Sequence, residues 1–293
     1  MQGKLSPQLY HEVAKAGTKV KIMVELQELP QVQLLSAKFL SLGAEIVYQS
    51  KVAPLITMVV DDTVVPTIAA MPEVKKVHHV PTAKLMEARA GWVQMSKVKT
   101  KATSVTLSET RVFLQIDQVP STGAGVKVAI VDSGINKPFS GIIAEKNFTS
   151  GPDTGDRAGH GTYVATIAQT MAPGINIINA KVFEEAETTF EVIMQGMEWS
   201  TEVGANIVNM SLGGDHYDPM HTLMRALKSK YPGLILVVAA GNSGLSCPGD
   251  ALEAVSVASV AVRDPEPYAV AGYSGKGPSP YNAHIEPDIG APG

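Results

Sequence analysis

Two hydrophobic rhythms divide the chain. Near the N-terminus Val20, Ile22, Val24 and Leu26 alternate with Lys19, Lys21, Glu25 and Gln27, and a period of two predicts a strand with one buried face. Leu35, Phe39 and Leu42 then recur at helical spacing, with Gly43 placed to end that helix. Residues 45–52 and 55–60 read as two strands broken at Ala53-Pro54. Asp62 or Thr63 is placed to cap a second short helix carrying Val65, Ile68, Ala69 and Met71, before a weak strand over 74–80. Strand, helix, strand, strand, helix, strand predicts a small α+β ferredoxin-like sandwich over residues 1–81, with two helices on one face of a four-stranded sheet.

After residue 110 the rhythm changes. Residues 126–131, 175–182, 206–211, 234–240 and 254–261 are short apolar runs suited to parallel strands buried on both faces. Helical spacing falls between them, over 163–171, over 189–203 with Phe190, Ile193, Met194 and Met197, and over 220–230. This alternation predicts an α/β unit with a parallel sheet over 111–293. Residues 82–110, with Lys84, Glu87, Arg89, Lys97, Lys99 and Lys101 and no sustained apolar period, read as a linker.

Composition narrows the classes. A length of 293 residues and 45% hydrophobic content suit two sizeable cores. The net charge of -4 offers no footprint for nucleic acid. The longest apolar run, 234–240, is too short to span a bilayer, and no apolar signal core follows Met1. A single cysteine, Cys247, excludes an intramolecular disulfide and reads as a small buried residue.

Three short motifs carry the candidate chemistry. Asp132 closes the apolar run Ala129-Ile130-Val131, His160 stands between Gly159 and Gly161, and Asn242 follows Ala239-Ala240-Gly241. An Asp at a strand end is also a common metal ligand or cap, a His there a helix cap, and an Asn in such a turn a structural residue. Together they supply a carboxylate to orient imidazole, an imidazole to take a hydroxyl proton, and an amide to hold an oxyanion. The order Asp, His, with Ser last, is that of subtilisin.

On these motifs the chain resembles the subtilisin-like serine proteases. The segments Asn209-Met210-Ser211-Leu212-Gly213-Gly214 and Glu286-Pro287-Asp288-Ile289-Gly290-Ala291-Pro292-Gly293 extend the likeness. The resemblance implies a serine endopeptidase precursor acting on protein or peptide substrates. Asp132, His160 and Asn242 are then catalytic, and Ser211, Leu212, Gly213 and Gly214 form an edge strand that pairs with substrate. Ala239, Ala240 and Gly241 form the other wall of the specificity pocket. It further implies that the N-terminal unit is a prodomain and intramolecular inhibitor, its end near Leu85 and Met86 lying in the cleft beside the processing site. The family's Gly-Thr-Ser-Met-Ala segment is absent up to Gly293. The nucleophile is therefore expected about twenty residues further on, and the catalytic unit is expected to be incomplete at its C-terminus.

Family members are commonly exported, so secretion is the expectation the resemblance carries. No cofactor is expected, although Asp153, Asp156, Glu184, Glu185 and Glu187 could offer oxygen ligands to calcium. His216 and His221 lie five apart and off one helical face, which gives no zinc spacing. Two rivals stand beside the protease. A nucleotide-binding protein is suggested by Gly123-Ala124-Gly125, but those glycines precede the strand over 126–131, where they cannot cradle a pyrophosphate. The other is an inactive protease fragment that acts only through prodomain binding.

Overall fold

The computed structural model describes residues 3–13, 17–86, 106–261, 269–281 and 286–293. The N-terminal unit runs α1 (Pro7–Val13), β1 (Lys19–Leu26), α2 (Gln31–Ser41), β2 (Glu45–Gln49), β3 (Leu55–Asp61), α3 (Val65–Ala70) and β4 (Val74–His79). Its sheet has the order β2-β3-β1-β4 with every pairing antiparallel. Val32, Leu35 and Phe39 of α2 and Val65 and Ile68 of α3 close one core over Ile22, Val24, Ile56 and Met58. Neither Asp62 nor Thr63 caps α3: its N-cap position is Val64, with no side-chain bond, and Asp61 instead caps the 3₁₀ turn over 62–64 that leads into it. The Asp61 carboxylate accepts from the Thr63 amide at 3.2 Å, while Asp62 turns inward to accept from the Gly17 amide.

β1 departs from the expected one-sided strand. Met23 is fully buried and Glu25 nearly so, because the second face of this sheet is covered too. Met23, Tyr48, Ala53 and Leu55 share one core with Met194, Met197, Leu223 and Leu227. Burying a side chain such as Met23 or Leu55 stabilises by about 1.5–3 kcal/mol relative to leaving it in water. Two of the alternating charged positions of β1 meet charged partners, Lys21 pairing with Glu191 at 2.5 Å and Glu25 with Lys75 at 2.8 Å, while Lys19 stays exposed.

The larger unit comprises α4 (Leu107–Phe113), β6 (Lys127–Asp132), β7 (Ile142–Asn147), α5 (His160–Met171), β8 (Asn176–Lys181), β9 (Glu187–Thr189), α6 (Phe190–Glu202), β10 (Ile207–Met210), β11 (Leu212–Gly214), α7 (Asp218–Lys230), β12 (Ile235–Ala239), β13 (Val255–Ala261), β14 (Ala269–Val270) and β15 (Ile289–Pro292). Its main sheet is ordered β14-β13-β12-β10-β6-β8-β7, with β15 also on β13. Every pairing is parallel except β13 with β14. All five expected strands are present, as β6, β8, β10, β12 and β13. No helix among the described residues is long and apolar enough to cross a membrane.

The expected linker is partly ordered structure. Residues 82–85 form β5 (Thr82–Leu85), the middle strand of an antiparallel sheet β11-β5-β9. At the other end α4 begins with a capping box, Thr106 Oγ1 accepting from the Glu109 amide at 3.2 Å and Glu109 from the Thr106 amide at 2.7 Å. Residues 87–105, including Glu87, Arg89, Lys97, Lys99 and Lys101, lie outside the described residues.

Candidate active site

β6 is an apolar strand, buried over 128–131, whose last residue Asp132 emerges at the carboxyl end of the parallel sheet. Its carboxylate is 1% exposed and accepts from the Ser133 amide at 2.7 Å. The first turn of α5 comes up against this strand end, because Gly161 lets backbones meet: a Cβ there would stand 2.3 Å from the Gly134 carbonyl oxygen. Asp156 fixes the approach, accepting from Ser133 Oγ at 2.7 Å and from the Gly159 and Thr162 amides at 2.8 Å each.

The result is a carboxylate–imidazole pair. Nδ1 of His160 lies 2.8 Å from Oδ1 and 3.0 Å from Oδ2 of Asp132. A carboxylate only accepts, so Nδ1 carries the proton and Nε2 is left as the basic nitrogen. Burial pulls the imidazole pKa down, but the hydrogen bond and charge of Asp132 outweigh it, the Met86 backbone and Asp156 add to them, and the net shift is upward. The position of His160 at a helix N-terminus disfavours its charge; Asp132 supplies the compensation.

Asn242 lies half-buried in the loop directly after β12, at the same end of the sheet. β12 is two strands from β6, with β10 between, so their ends are roughly 10 Å apart at the usual strand spacing. Ser211 follows β10 and leads into β11, along which β5 runs antiparallel: Leu212 faces Leu85, Gly213 faces Lys84 and Gly214 faces Ala83. The ladder continues with the Met86 amide donating to the Ser211 carbonyl at 3.0 Å. Met86 also reaches His160 through its backbone.

The two expected walls meet. Gly214 and Cys247 exchange backbone bonds of 3.0 Å each way, and the Ser246 amide donates to the Ala240 carbonyl at 3.0 Å. A Cβ on Gly213 or on Gly241 would fall 2.5 Å or 2.8 Å from Ser246 Oγ. Ala240 and Gly241 are buried and Ala239 half-buried. Ser246, whose buried Oγ has no hydrogen-bond partner among the described residues, carries no motif and is invisible in sequence. The same holds for Asp156, which sequence offers only as an acidic loop residue.

The acidic residues considered for calcium do not converge. Asp156 is committed to the turn before α5, Asp153 to the Gly155 amide at 3.0 Å, Glu184 to Arg157 at 2.6 Å and Lys181 at 3.0 Å, and Glu187 to Lys84 at 2.9 Å. Glu185 is exposed. The two histidines that lack metal spacing in sequence are instead brought together by the fold, around Asp250. Cys247 is buried as expected, and that burial pushes its thiol pKa up.

Residues 123–293 match the model of the subtilase family. The chain is 29% identical over 230 residues to subtilisin-like protease 2 of Arthroderma benhamiae, covering 71% of this chain and 54% of that protein. It is 36% identical over 138 residues to subtilisin DY of Bacillus licheniformis, covering 42% and 50%. The chain thus spans about half the length of these curated relatives. Among solved structures, the epidermin leader peptide processing serine protease EpiP of Staphylococcus aureus is similar in fold, with a TM-score of 0.69 at 18% identity over 94% of this chain and 75% of that one.

Proposed function

The chain belongs to the subtilase family, and from that premise we propose that it is the precursor portion of a serine endopeptidase, with residues 1–86 as an inhibitory prodomain seated in the cleft. The observation that carries this reading is the path of β5. It pairs with Leu212, Gly213 and Gly214 as an extended substrate would, and Met86, the residue just after it, bonds to Ser211 and sets its backbone against the imidazole of His160.

The chemistry follows from the site. Asp132 holds the ring so that Nε2 points its lone pair into the cleft. Nε2 takes the proton of an attacking serine hydroxyl and returns it to the leaving amine, while Asp132 stabilises the imidazolium in between. The Asn242 amide donates to the oxyanion of the tetrahedral intermediate. By the family's order of Asp, His and Ser the nucleophile belongs beyond residue 293, and the reading fits the described serines, none of which hydrogen-bonds His160 and of which Ser133 is occupied by Asp132 and Asp156. The bond after Met86 is the proposed processing site. Met86 then lies with its Cε against Gly213, where an added Cβ would come within 2.3 Å of it.

Extending the coding sequence past Gly293 and labelling with a serine-directed fluorophosphonate tests the reading. The extended protein should label in a His160-dependent manner and release a fragment ending at Met86, whereas residues 1–293 alone should not label. Stoichiometric, His160-dependent labelling of residues 1–293 would show that a nucleophile within them has been missed. An extended protein that neither labels nor cleaves would favour the second reading, a fragment that acts only by binding, which the core shared by Met23, Tyr48 and Leu55 of β1–β3 with α6 and α7 also supports.

A further inference from the structure

We propose that His216, His221 and Asp250 form a binding site for a divalent transition metal of the zinc type, separate from the Asp132–His160 pair. The fold brings one donor atom of each within 4.8 Å of the others. Asp250 sits between the rings, with Oδ2 2.6 Å from His216 Nδ1 and Oδ1 2.9 Å from His221 Nε2. The three side chains are 16%, 14% and 3% exposed, so the donors are largely withdrawn from water yet open to an ion.

Three features fit a metal better than a plain charge cluster. Two imidazoles and one carboxylate are the donor set of borderline cations, whereas calcium takes six to eight oxygens. The remaining nitrogen of His216, Nε2, lies 3.0 Å from Asp218 Oδ1. A carboxylate behind a ligating imidazole fixes the ring and its tautomer, which is the usual support of a metal-bound histidine. Finally, Tyr281 stacks on His216 with ring centroids 3.5 Å apart and planes 9° from parallel, holding the ring from its open side.

Little movement is required. Tetrahedral zinc with bonds near 2.1 Å spaces its ligands by about 3.4 Å. The His216–Asp250 contact would open by about 0.8 Å and the His221–Asp250 contact by about 0.5 Å, and the two rings would close by no more than about 1.5 Å. The ion replaces the protons of those contacts, and water completes the fourth position.

The location gives the site its consequence. His216 follows β11 by two residues, and Asp250 stands three residues after Cys247, the backbone partner of Gly214. A bound ion therefore clamps the segment leaving one cleft wall to the loop leaving the other. Asp218 is also held by Lys76 of β4 at 2.8 Å, so the N-terminal unit contacts the support of the site directly.

The test uses the tag-free full chain, stripped with a chelator and titrated with zinc chloride against a chromogenic zinc indicator. One equivalent should bind, His216→Gln and His221→Gln should each abolish stoichiometric binding, and His79→Gln, outside the cluster, should not. Asp218→Asn should weaken binding by about 10- to 100-fold. Cobalt loaded into the unaltered chain should give the intense visible bands of a tetrahedral site, which keeps the test independent of whether a variant folds. Absence of stoichiometric zinc in the unaltered chain, binding that survives both histidine variants, or an octahedral cobalt spectrum would each overturn the proposal and leave an ordinary ion-pair cluster.

Discussion

Replacing Gly214 with Ala should detach β5 from the cleft without unfolding the protein. A Cβ at 214 would lie 2.7 Å from the Thr82 carbonyl oxygen and 3.0 Å from Cε2 of Phe190. Phe190 is fully buried in the large core and cannot retreat, so the strain falls on β5. Its pairing through Gly214 and Ala83 opens. Two backbone hydrogen bonds at about 1 kcal/mol net each amount to roughly 2 kcal/mol. At 1.4 kcal/mol per factor of ten, this is about a 30-fold shift in the local opening equilibrium. Hydrogen–deuterium exchange read by mass spectrometry over residues 82–86 should accelerate by 10- to 30-fold on that order, while β6 serves as the internal reference. Gly233→Ala, where a Cβ meets nothing within 4 Å, should leave both segments unchanged. Unaltered protection at 82–86 would refute the reasoning; an equal rise in β6 would show global loss of stability in place of detachment.

Three further outcomes are expected. Asp132→Asn removes the group that raises the His160 pKa, so burial prevails and the His160 ring signal in NMR should titrate below its free value of about 6.5. A raised folded-state value stabilises the fold fully below pH of about 6.5, and that contribution is lost as pH rises through it; urea midpoints of wild type and variant should therefore differ most in acid, and an unmoved His160 titration would sink the pairing. Tyr48→Phe deletes the 2.5 Å hydrogen bond to the buried Glu198 carboxylate and should cost about 1.5–3 kcal/mol in urea unfolding, the range for bonds to charged groups; a loss below about 0.5 kcal/mol would make the contact incidental. In the extended enzyme, Asn242→Ala should lower turnover by about 10²- to 10³-fold with KM nearly unchanged, a range set by subtilisin itself and carried over with the family; a change in KM alone would return Asn242 to a turn residue.

What the sequence made legible is what depends on strong local pattern. The apolar runs behind β6, β8, β10, β12 and β13 are buried in the sheet interior, so periodicity alone marks them. β7 escaped because it is an edge strand with exposed Ile143 and a polar half, Glu145-Lys146-Asn147. The second buried face of β1 escaped because its Lys and Glu residues look solvated until Glu191 and Lys75 are brought to them. β5 has a clean alternation, Ala83 and Leu85 inside and Thr82 and Lys84 outside, yet four residues are too few to stand out from a linker. Within the site, Asp132 and His160 announced themselves by strand end and flanking glycines. Asp156 and Ser246 did not, since the bond that ties Asp156 to the strand end at Ser133 crosses 23 residues and Ser246 is marked only by its buried hydroxyl. The grouping of His216 and His221 with Asp250 spans 34 and 29 residues, beyond any spacing rule.

The place of β5 between two short strands has a consequence for solubility. While it is seated, β11 and β9 each have a neighbour; once it withdraws, both become facing sheet edges with unpaired amides and carbonyls. Long bare edges recruit other chains into aggregates, but these are three residues apiece and separated by one strand's width. Only a single extended chain fits the slot, and it is gripped along its main chain from both sides. The vacated slot is thus too short and too narrow to template a growing sheet.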